Sequence, residues 1–264
     1  GMSSAQIQVG DVLGWFKSGL ELTFKNPAAF IVMALIFGVI AVVSAFIPLL
    51  GNIALLILTP VFQGGFVYAA REEHQGRPAE VGQLFTAFQQ PNKFGPMAML
   101  CIPAVAAGIL GAIVAFFLIG GSIMAIFAGG GEGISALAIV GFLVAIPLLA
   151  AIGLAAAALT YFAVPRVMFD NVEPIAAMKE SLGVVMKNLV AFVAGFIVIG
   201  LAFLLVAIIP FIGALAIFLI GMPMSMCAMY FAHRQVFGDS TPVQPPMAPP
   251  APMDPPAPPA PPAA

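Results

Sequence analysis

The chain contains six long apolar runs that are almost free of charged residues, and this feature constrains the fold more than any other. The runs cover residues 28–50, 52–70, 96–128, 134–164, 189–212 and 213–232. About twenty helical residues cross the ~30 Å hydrocarbon core of a bilayer. Charged residues make up only 8% of the 264, against roughly 25% in soluble domains, which excludes a water-soluble enzyme or nucleic-acid binder. The sequence therefore predicts an all-α membrane protein with six transmembrane helices.

Short connections pair these runs into three helical hairpins, and the basic residues indicate their orientation. The three connections between the paired runs contain a single charge, Glu132, and no Lys or Arg. All nine basic residues precede the first hairpin, separate the hairpins or follow the last one: Lys17, Lys25, Arg71, Arg77, Lys93, Arg166, Lys179, Lys187 and Arg234. Because Lys and Arg stay on the cytoplasmic side of membrane proteins, we expect both termini in the cytoplasm.

Composition divides the chain into three regions. Residues 1–27 are predicted as an amphipathic cytoplasmic segment, residues 28–238 as the membrane domain, and residues 239–264 as a disordered Pro/Ala-rich cytoplasmic tail. Twelve of the 24 prolines lie in this tail, a composition that favours extended polyproline II conformations. Two readings stay open: the tail docks into an aromatic-lined groove of an envelope protein partner, or it is a solvated, semi-rigid extension.

The chain matches itself when it is shifted by 162 residues, which predicts an internal repeat covering about 10–72 and 172–234. The aligned pairs include Lys25 with Lys187, Asn26 with Asn188, Gly51 with Gly213 and Tyr68 with Tyr230, while Pro60 and Pro223 match with one residue of slip. Each copy is an amphipathic segment followed by a hairpin, and residues 81–88 form a weaker third segment. We expect these segments either in the membrane interface or packed as caps on the cytoplasmic mouth of the bundle.

The predicted apolar faces of the two full segments follow helical spacing. They are Val12, Leu13, Phe16, Leu20 and Phe24 in the first copy, and Ile175, Met178, Leu182, Val185 and Met186 in the second.

A family resemblance rests on motifs around the fourth run and the second copy of the repeat. These are Phe162-Ala163-Val164-Pro165, then residues 174–181 (PIAAMKES) and Lys187-Asn188. With the helix-then-hairpin units, they resemble uncharacterised six-span bacterial inner-membrane proteins related to the membrane domain of glycerophosphodiester phosphodiesterases. The resemblance covers about residues 10–238 and implies a multi-pass topology in a bacterial inner membrane. The catalytic domain of those phosphodiesterases is absent, so hydrolysis is not implied.

The apolar runs themselves contain no Asp, Glu, Lys, Arg or His, which are the residues that normally mark a transport pathway inside a membrane. Among the few polar residues of the runs, Asn52, Gln63 and Tyr161 are the candidates for lining a cavity. Hydrogen bonding between helices is the commoner use of such side chains. Pro60 and Pro223 are predicted to kink the second and sixth helices, freeing the carbonyl groups of Leu56 and Leu219 and opening a cytoplasmic vestibule.

Catalytic and metal-binding patterns are not found. His74 and His233 lie on separate connections and are interpreted as cationic anchors at the membrane interface, and Cys101 and Cys227 have no metal or redox spacing. We predict no catalytic residue, no metal and no cofactor. Small residues align on the third run (Ala104, Ala107/Gly108, Gly111/Ala112 and Ala115) and, with Leu154, on the fourth (Ala150/Ala151, Leu154/Ala155 and Ala158). Because such stripes let helices approach closely, these two helices are expected to be the central pair of the bundle.

The function favoured by these features is that of a non-enzymatic inner-membrane protein with a structural or partner-binding role in the cell envelope. The alternative is a carrier or channel for a small or lipidic solute, and a lipid-modifying enzyme is the third option. The expected partners are the lipid bilayer and an envelope protein, not nucleic acid. The sequence leaves the oligomeric state open.

Overall fold

The fold comes from a computed structural model, which describes residues 6–129, 136–238 and 262–263. Six helices within these residues are long and apolar enough to span a membrane: Pro27–Ala45, Leu50–His74, Phe94–Ala128, Ala136–Asp170, Leu189–Ala207 and Ile212–Phe237. The described residues contain no strand. The predicted fold class, an all-α membrane protein with six spanning helices in three hairpins, is confirmed.

Several of the spans consist of more than one helical segment. The α-helices in chain order, α1 to α13, are Val9–Lys25, Pro27–Ala45, Leu50–His74, Thr86–Gln89, Phe94–Met99, Ile102–Val114, Gly120–Ala128, Ala136–Thr160, Ala163–Asp170, Pro174–Lys187, Leu189–Ala207, Ile212–Ala216 and Met222–Phe237. A 3-10 turn at Val81–Phe85 precedes α4, and π-helical turns at Ala115–Ile119 and Ile217–Gly221 interrupt the third and sixth spans. The three hairpins begin and end at the same end of the bundle, and the basic residues lie there. We call it the basic end.

The first and third hairpins turn through the same rare backbone geometry. Leu49 has φ 64 and ψ −60, Phe211 has φ 60 and ψ −56, and the flanking hydrogen bonds, Leu50 N to Pro48 O and Ile212 N to Pro210 O, are 2.7 and 2.6 Å long. These values describe the strained γ-turn. Gly51 and Gly213 follow, and a side chain at either would overlap the carbonyl oxygen of Ser44 or Val206. Both hairpins therefore need glycine at this position.

The packed core lies in the basic half of the bundle. The largest fully buried side chains include Phe30, Met33 and Phe66 of the first hairpin, Met97 and Phe162 of the second and His233 of the third. Towards the opposite end most large apolar side chains are exposed, as they are on lipid-facing helices. The packed interior is therefore concentrated at the basic end.

The third and fourth spans are not the central pair, so that prediction was wrong. Only 6% and 11% of their most apolar stretches are buried, against 50% for the second span. A Cβ atom on Gly141 would meet the Ser122 side chain, and one on Gly111, a member of the predicted stripe, would contact Leu149. Ala104, Gly108 and Ala112 of that stripe are exposed. Small residues therefore mediate part of the close approach, but between two helices at the lipid-exposed side of the bundle.

The amphipathic segments pack against protein, as the second of the two readings offered for them expects. Helix α1 lies on α11 and α13, residues 81–89 lie on α3, and α10 lies on α8 and α9. The predicted apolar face of α1 is partly wrong: Trp15, Gly19 and Leu22 are buried, whereas Leu20 and Phe24 are exposed. On α10, Met178 and Val185 are buried as predicted, but Ile175 and Met186 are exposed.

Local sequence explains where the helices begin and end at the basic end. Asn26 accepts a hydrogen bond from Ala29 N at the start of α2, and Glu173 accepts bonds from Ile175 N and Ala176 N at the start of α10. Both caps are followed by proline at the first helical position, where no backbone donor is needed. Asn171, with φ 54, ends α9 in the left-handed conformation. Residues 130–135, in the connection of the second hairpin, and most of the predicted tail lie outside the described residues.

Candidate functional site at the basic end

Asp170 is the centre of a charged network that joins three helices. Its Oδ2 atom accepts hydrogen bonds from Arg166 Nη1 and from His233 Nε2, both at 2.8 Å. Arg166 Nε also donates to Glu180 Oε2 at 2.8 Å. The network therefore ties the end of the fourth span to α10 and to the sixth span. We call Arg166, Asp170, Glu180 and His233 the Asp170 network.

His233 is buried in this network, so the interpretation of it as an anchor at the membrane interface was wrong. Its side chain is 2% exposed, and its ring lies 5.5 Å from the rings of both Phe169 and Phe237. An ionised carboxylate can only accept hydrogen bonds, so Nε2 of His233 carries the proton that it donates to Asp170. This arrangement fixes the orientation of the imidazole.

Three arginine side chains contact aromatic or imidazole rings beside this network. The guanidinium carbon of Arg71 lies 4.2 Å from the ring centre of Phe169, and that of Arg166 lies 4.4 Å from the ring centre of Phe237. Arg234 Nη1 lies 3.0 and 2.9 Å from Nδ1 and Nε2 of His74. Cations over rings attract by roughly 0.5–2 kcal/mol, depending on burial. Tyr230 OH lies 2.9 Å from His74 Nδ1, so His74 also packs against the sixth span.

Lys93 is a buried cation that binds the end of α9. Its Nζ donates to the carbonyl oxygens of Val167 and Met168, at 2.9 and 3.1 Å, and to Asn171 Oδ1. The last carbonyl groups of a helix have no partner within the helix, so the ammonium group supplies the missing donors. Burial lowers the pKa of Lys93 below its ordinary value; Arg71 lowers it further, and Asp170 raises it.

Replacing Lys93 with methionine is expected to destabilise the fold by about 1–3 kcal/mol, because oxygen acceptors at the end of α9 lose their donor. The matched control is Lys179→Met, since Lys179 is an exposed lysine on α10, and there we expect little change. Thermal unfolding in detergent measures both.

Because folding lowers the pKa of Lys93, the unfolded chain binds more protons, and the wild type should gain stability over Lys93→Met as the pH rises towards the ordinary lysine pKa. Equal melting temperatures for the two variants would contradict this role.

A surface pocket of about 410 Å³ lies between α1 and α13 at the same end. Its floor includes Trp15, whose Nε1 donates to Gln235 Oε1 at 2.7 Å. The remaining lining residues are Gly10, Asp11, Gly14, Ser18, Phe231 and Arg234. The pocket thus carries one basic and one acidic side chain next to two aromatic rings.

The predicted cavity-lining residues lie in different parts of the bundle. Asn52 is exposed near the turn of the first hairpin, and Gln63 is half-buried on the same helix, about 16 Å away along the axis. Tyr161 packs against Phe162, Phe192 and Phe196, and its hydroxyl group is buried without a hydrogen-bond partner among the described residues. Their role in lining a cavity stays a prediction.

The two predicted kink positions have different surroundings. Pro60 lies inside α3, which continues through it, whereas Pro223 is in the first turn of α13, directly after the π-helical turn. Hydroxyl groups bond to nearby carbonyls at both sites: Thr59 Oγ1 donates to Leu55 O at 2.6 Å and Ser225 Oγ donates to Gly221 O at 2.7 Å. Such bonds often accompany bends in helices. The kinks, and the vestibule between them, stay a prediction.

Sequence reasoning missed the Asp170 network and the buried Lys93: it interpreted His233 as an anchor at the membrane interface and used Lys93 and Arg166 only to predict the orientation. One usable signal was present: Arg166 and Asp170 are four residues apart, on one face of a helix. Among the described residues, no group of three His, Cys, Asp or Glu side chains is arranged to hold a metal ion.

Comparison with known proteins identifies the family. Residues 11–257 match the family described as a domain of unknown function, DUF7847. The chain belongs to this family. It is also 27% identical, over 253 residues, to a probable inner membrane protein of Burkholderia thailandensis, covering 89% of this chain and 92% of that relative. No solved structure matches the chain. The six apolar helices and this likeness agree on a multi-pass inner-membrane protein in contact with the lipid bilayer.

Proposed function

We propose that this member of the DUF7847 family is a non-enzymatic scaffold of the inner membrane, with its basic end and both termini in the cytoplasm, that binds an envelope protein partner. The observation that carries the proposal is the basic end itself. All three hairpins contribute fully buried side chains to a packed layer there, among them Phe66 of the first, Phe162 of the second and His233 of the third. A framework needs such a rigid body, whereas a carrier needs two arrangements of its helices. The position of all nine basic residues supports the cytoplasmic orientation.

The charged groups of the basic end support a structural use. Arg166 binds Glu180 on α10, Asp170 binds His233 on α13, and Lys93 binds the end of α9. Each of these contacts joins two different elements of the fold. Satisfied polar networks of this kind make a packed region rigid and specific. Ionisable residues here therefore hold helices together, which is the role expected in a scaffold.

The partner-binding part of the proposal rests on the proline-rich segment. Helix α13 ends at Phe237, and Gly238 has φ 80, so the chain leaves the helix immediately before residues 239–264. Prolines in this segment occur in pairs, such as Pro245-Pro246 and Pro258-Pro259. Extended proline-rich chains dock into aromatic-lined grooves at a low entropic cost. We propose this segment as the docking ligand.

The internal repeat and the relation to the membrane domain of glycerophosphodiester phosphodiesterases belong to the same proposal. The repeat is supported by α2 and α11, whose bounds are Pro27–Ala45 and Leu189–Ala207 and differ by 162 residues at both ends. The equal γ-turns at Leu49 and Phe211 also differ by 162 residues. The relation to the phosphodiesterase domain rests on the sequence motifs alone and stays a prediction.

The test uses site-specific photo-crosslinking in living cells of the native host. A photoreactive amino acid at Val243 of the full chain should crosslink to one protein, identified by mass spectrometry. Replacing the prolines of residues 245–262 with alanine should reduce that adduct by tenfold or more, roughly the loss of ~1.4 kcal/mol of binding. Membrane levels and thermal unfolding should stay unchanged, because residues 27–237, which contain the six spans, are unaltered.

Three outcomes would overturn the proposal. The first is an adduct that forms equally well without the prolines, and the second is no adduct at all. The third is solute flux through the purified protein in liposomes that is lost in Tyr161→Phe. That result would favour the carrier alternative, for which the buried Tyr161 hydroxyl without a protein partner is the supporting observation, since buried hydroxyl groups normally have a partner.

A further inference from the structure

Helices α1 and α10 lie beside the spans and not beyond their ends. A Cβ atom on Gly19 of α1 would overlap the backbone of Ala228, and Ser181 Oγ of α10 donates to the carbonyl oxygen of Ala158 at 2.6 Å. Ala228 and Ala158 both belong to apolar runs and lie about 14 and 18 Å before the ends of their spans. Both helices are therefore level with the last turns of the spans, close to the headgroups of the lipids.

The outward face of each of these helices carries lysine and large apolar side chains at equivalent positions. The pairs are 162 residues apart: Lys17 and Lys179, Leu20 and Leu182, Phe24 and Met186, and Lys25 and Lys187. Phe24 is 55% exposed and Met186 is 58% exposed, and all four lysines are exposed. We call residues 17, 20, 24 and 25 of α1, and residues 179, 182, 186 and 187 of α10, the two lysine stripes.

The bilayer is the surface that lies next to both stripes. The spanning helices α2 and α11 begin at Pro27 and Leu189, directly after the stripes, so Phe24 and Met186 lie where the chain enters the lipid. At this depth acyl chains cover apolar side chains, while lysine extends its ammonium group to the headgroups. The stripes thus continue the lipid-facing surface of the spans.

The charges around the stripes favour an anionic headgroup. Among the described residues, none of the four stripe lysines forms an ion pair. On α10 the neighbouring acids have other partners, because Glu180 binds Arg166 and Glu173 caps the helix. On α1, Glu21 is exposed between the two lysines, and its equivalent on α10 is Gly183. The α10 stripe therefore keeps both positive charges, while Glu21 offsets one of the charges on α1.

From these observations we propose that the two lysine stripes bind lipids with an anionic phosphate headgroup, in the leaflet at the basic end, and that the α10 stripe binds them more tightly. A lysine near the membrane surface favours an anionic lipid by about fivefold, or ~1 kcal/mol. A lipid fits better than a phosphate ion from the water, because it also covers Phe24 and Met186. Lipid binding of this kind fixes the depth of the basic end and does not depend on a protein partner.

The experiment uses brominated lipids, which quench the fluorescence of a tryptophan that they contact. The single tryptophan, Trp15, is replaced by phenylalanine, which keeps a ring in this packed position, and Phe24→Trp or Met186→Trp then reports on one stripe in the full chain. The liposomes consist of phosphatidylcholine with increasing fractions of brominated phosphatidylglycerol, or of brominated phosphatidylcholine for comparison. We expect phosphatidylglycerol to be preferred by about fivefold or more at residue 186, and by less at residue 24.

Substitution of the lysines separates the two stripes. Lys179→Gln with Lys187→Gln should remove the preference at residue 186 and leave that at residue 24, and Lys17→Gln with Lys25→Gln should do the reverse. Arginine at the same positions should keep the preference, because the charge is kept, and high salt should weaken it. Glu21→Gln should raise the preference at residue 24. Thermal unfolding in detergent should be the same for all these variants, which separates a loss of lipid binding from a loss of fold.

The matched control is Phe88→Trp. Phe88 is 40% exposed on the third amphipathic segment, and residues 81–89 contain no lysine, so no preference is expected there. An equal preference at all three positions, or one that survives the Lys→Gln pairs, would overturn the proposal. Glycerol 3-phosphate added to the water should leave the quenching unchanged. If it displaced the brominated phosphatidylglycerol, the lysines would bind a free phosphate, and the assignment to lipid would be wrong.

Discussion

Gly65→Ala is expected to destabilise the protein by about 2 kcal/mol or more, because an added methyl group would meet backbone atoms. A Cβ atom on Gly65 would overlap the carbonyl oxygen of Leu84. Leu84 is fully buried in the 3-10 turn that packs on α3, so the turn would have to move away from the helix. Thermal unfolding in detergent, followed by size-exclusion chromatography, measures the loss.

The control for this prediction is Gly108→Ala. Gly108 lies inside α6 and has open space where its Cβ would be. Alanine favours the helical backbone by about 0.5–1 kcal/mol over glycine, so this variant should be unchanged or slightly more stable. The two substitutions add the same methyl group to a spanning helix. We expect the first to lower the stability, and the second to leave it unchanged or raise it slightly. A stable Gly65→Ala protein would show that the 3-10 turn is not held against α3 at this point.

The hairpins could be predicted from the sequence because hydrophobicity and charge act locally. An apolar run of about twenty residues forms a helix in lipid wherever it occurs, since its backbone groups must bond within the segment. The same logic gave the positions of the connections and the pairing of the runs. The predicted ends of the spans were less accurate: the second and sixth spans continue into charged turns and end at His74 and Phe237.

The packing between helices could not be predicted in the same way. A lipid-facing surface and a helix-facing surface are both apolar in a membrane protein, so apolar spacing on α1 did not show that Trp15 faces the bundle while Phe24 faces away. The small-residue stripes failed for the same reason. Ala104 and Gly108 permit close approach, but they do not say whether a helix or a lipid chain fills the space.

The Asp170 network and the Arg234–His74 contact could not be predicted from the sequence, because they join residues far apart in the chain. His233 and Asp170 are 63 residues apart, and Arg234 and His74 are 160 apart. Arg71, Arg166 and Arg234 lie at the ends of the three hairpins. Their contacts with rings of a different hairpin could be recognised only once the fold was known.

The last prediction concerns Asp170, the carboxylate at the centre of the Asp170 network. Asp170→Leu is expected to cost about 3 kcal/mol, because removing one partner of a largely buried ion pair leaves the others uncompensated. Arg166 would keep Glu180, but His233, which is buried, would lose the acceptor of its Nε2 proton.

Asp170→Asn keeps an oxygen that can accept this bond and removes only the charge, so its stability should lie between that of the wild type and that of Asp170→Leu. Lys17→Gln is the control: it removes the charge of an exposed side chain on α1, and exposed charges contribute little to stability. Thermal unfolding in detergent should therefore rank the proteins as wild type and Lys17→Gln together, then Asp170→Asn, then Asp170→Leu. If Asp170→Leu unfolded at the same temperature as Lys17→Gln, the basic end would owe its rigidity to apolar packing alone, and the ion pairs would be incidental to it.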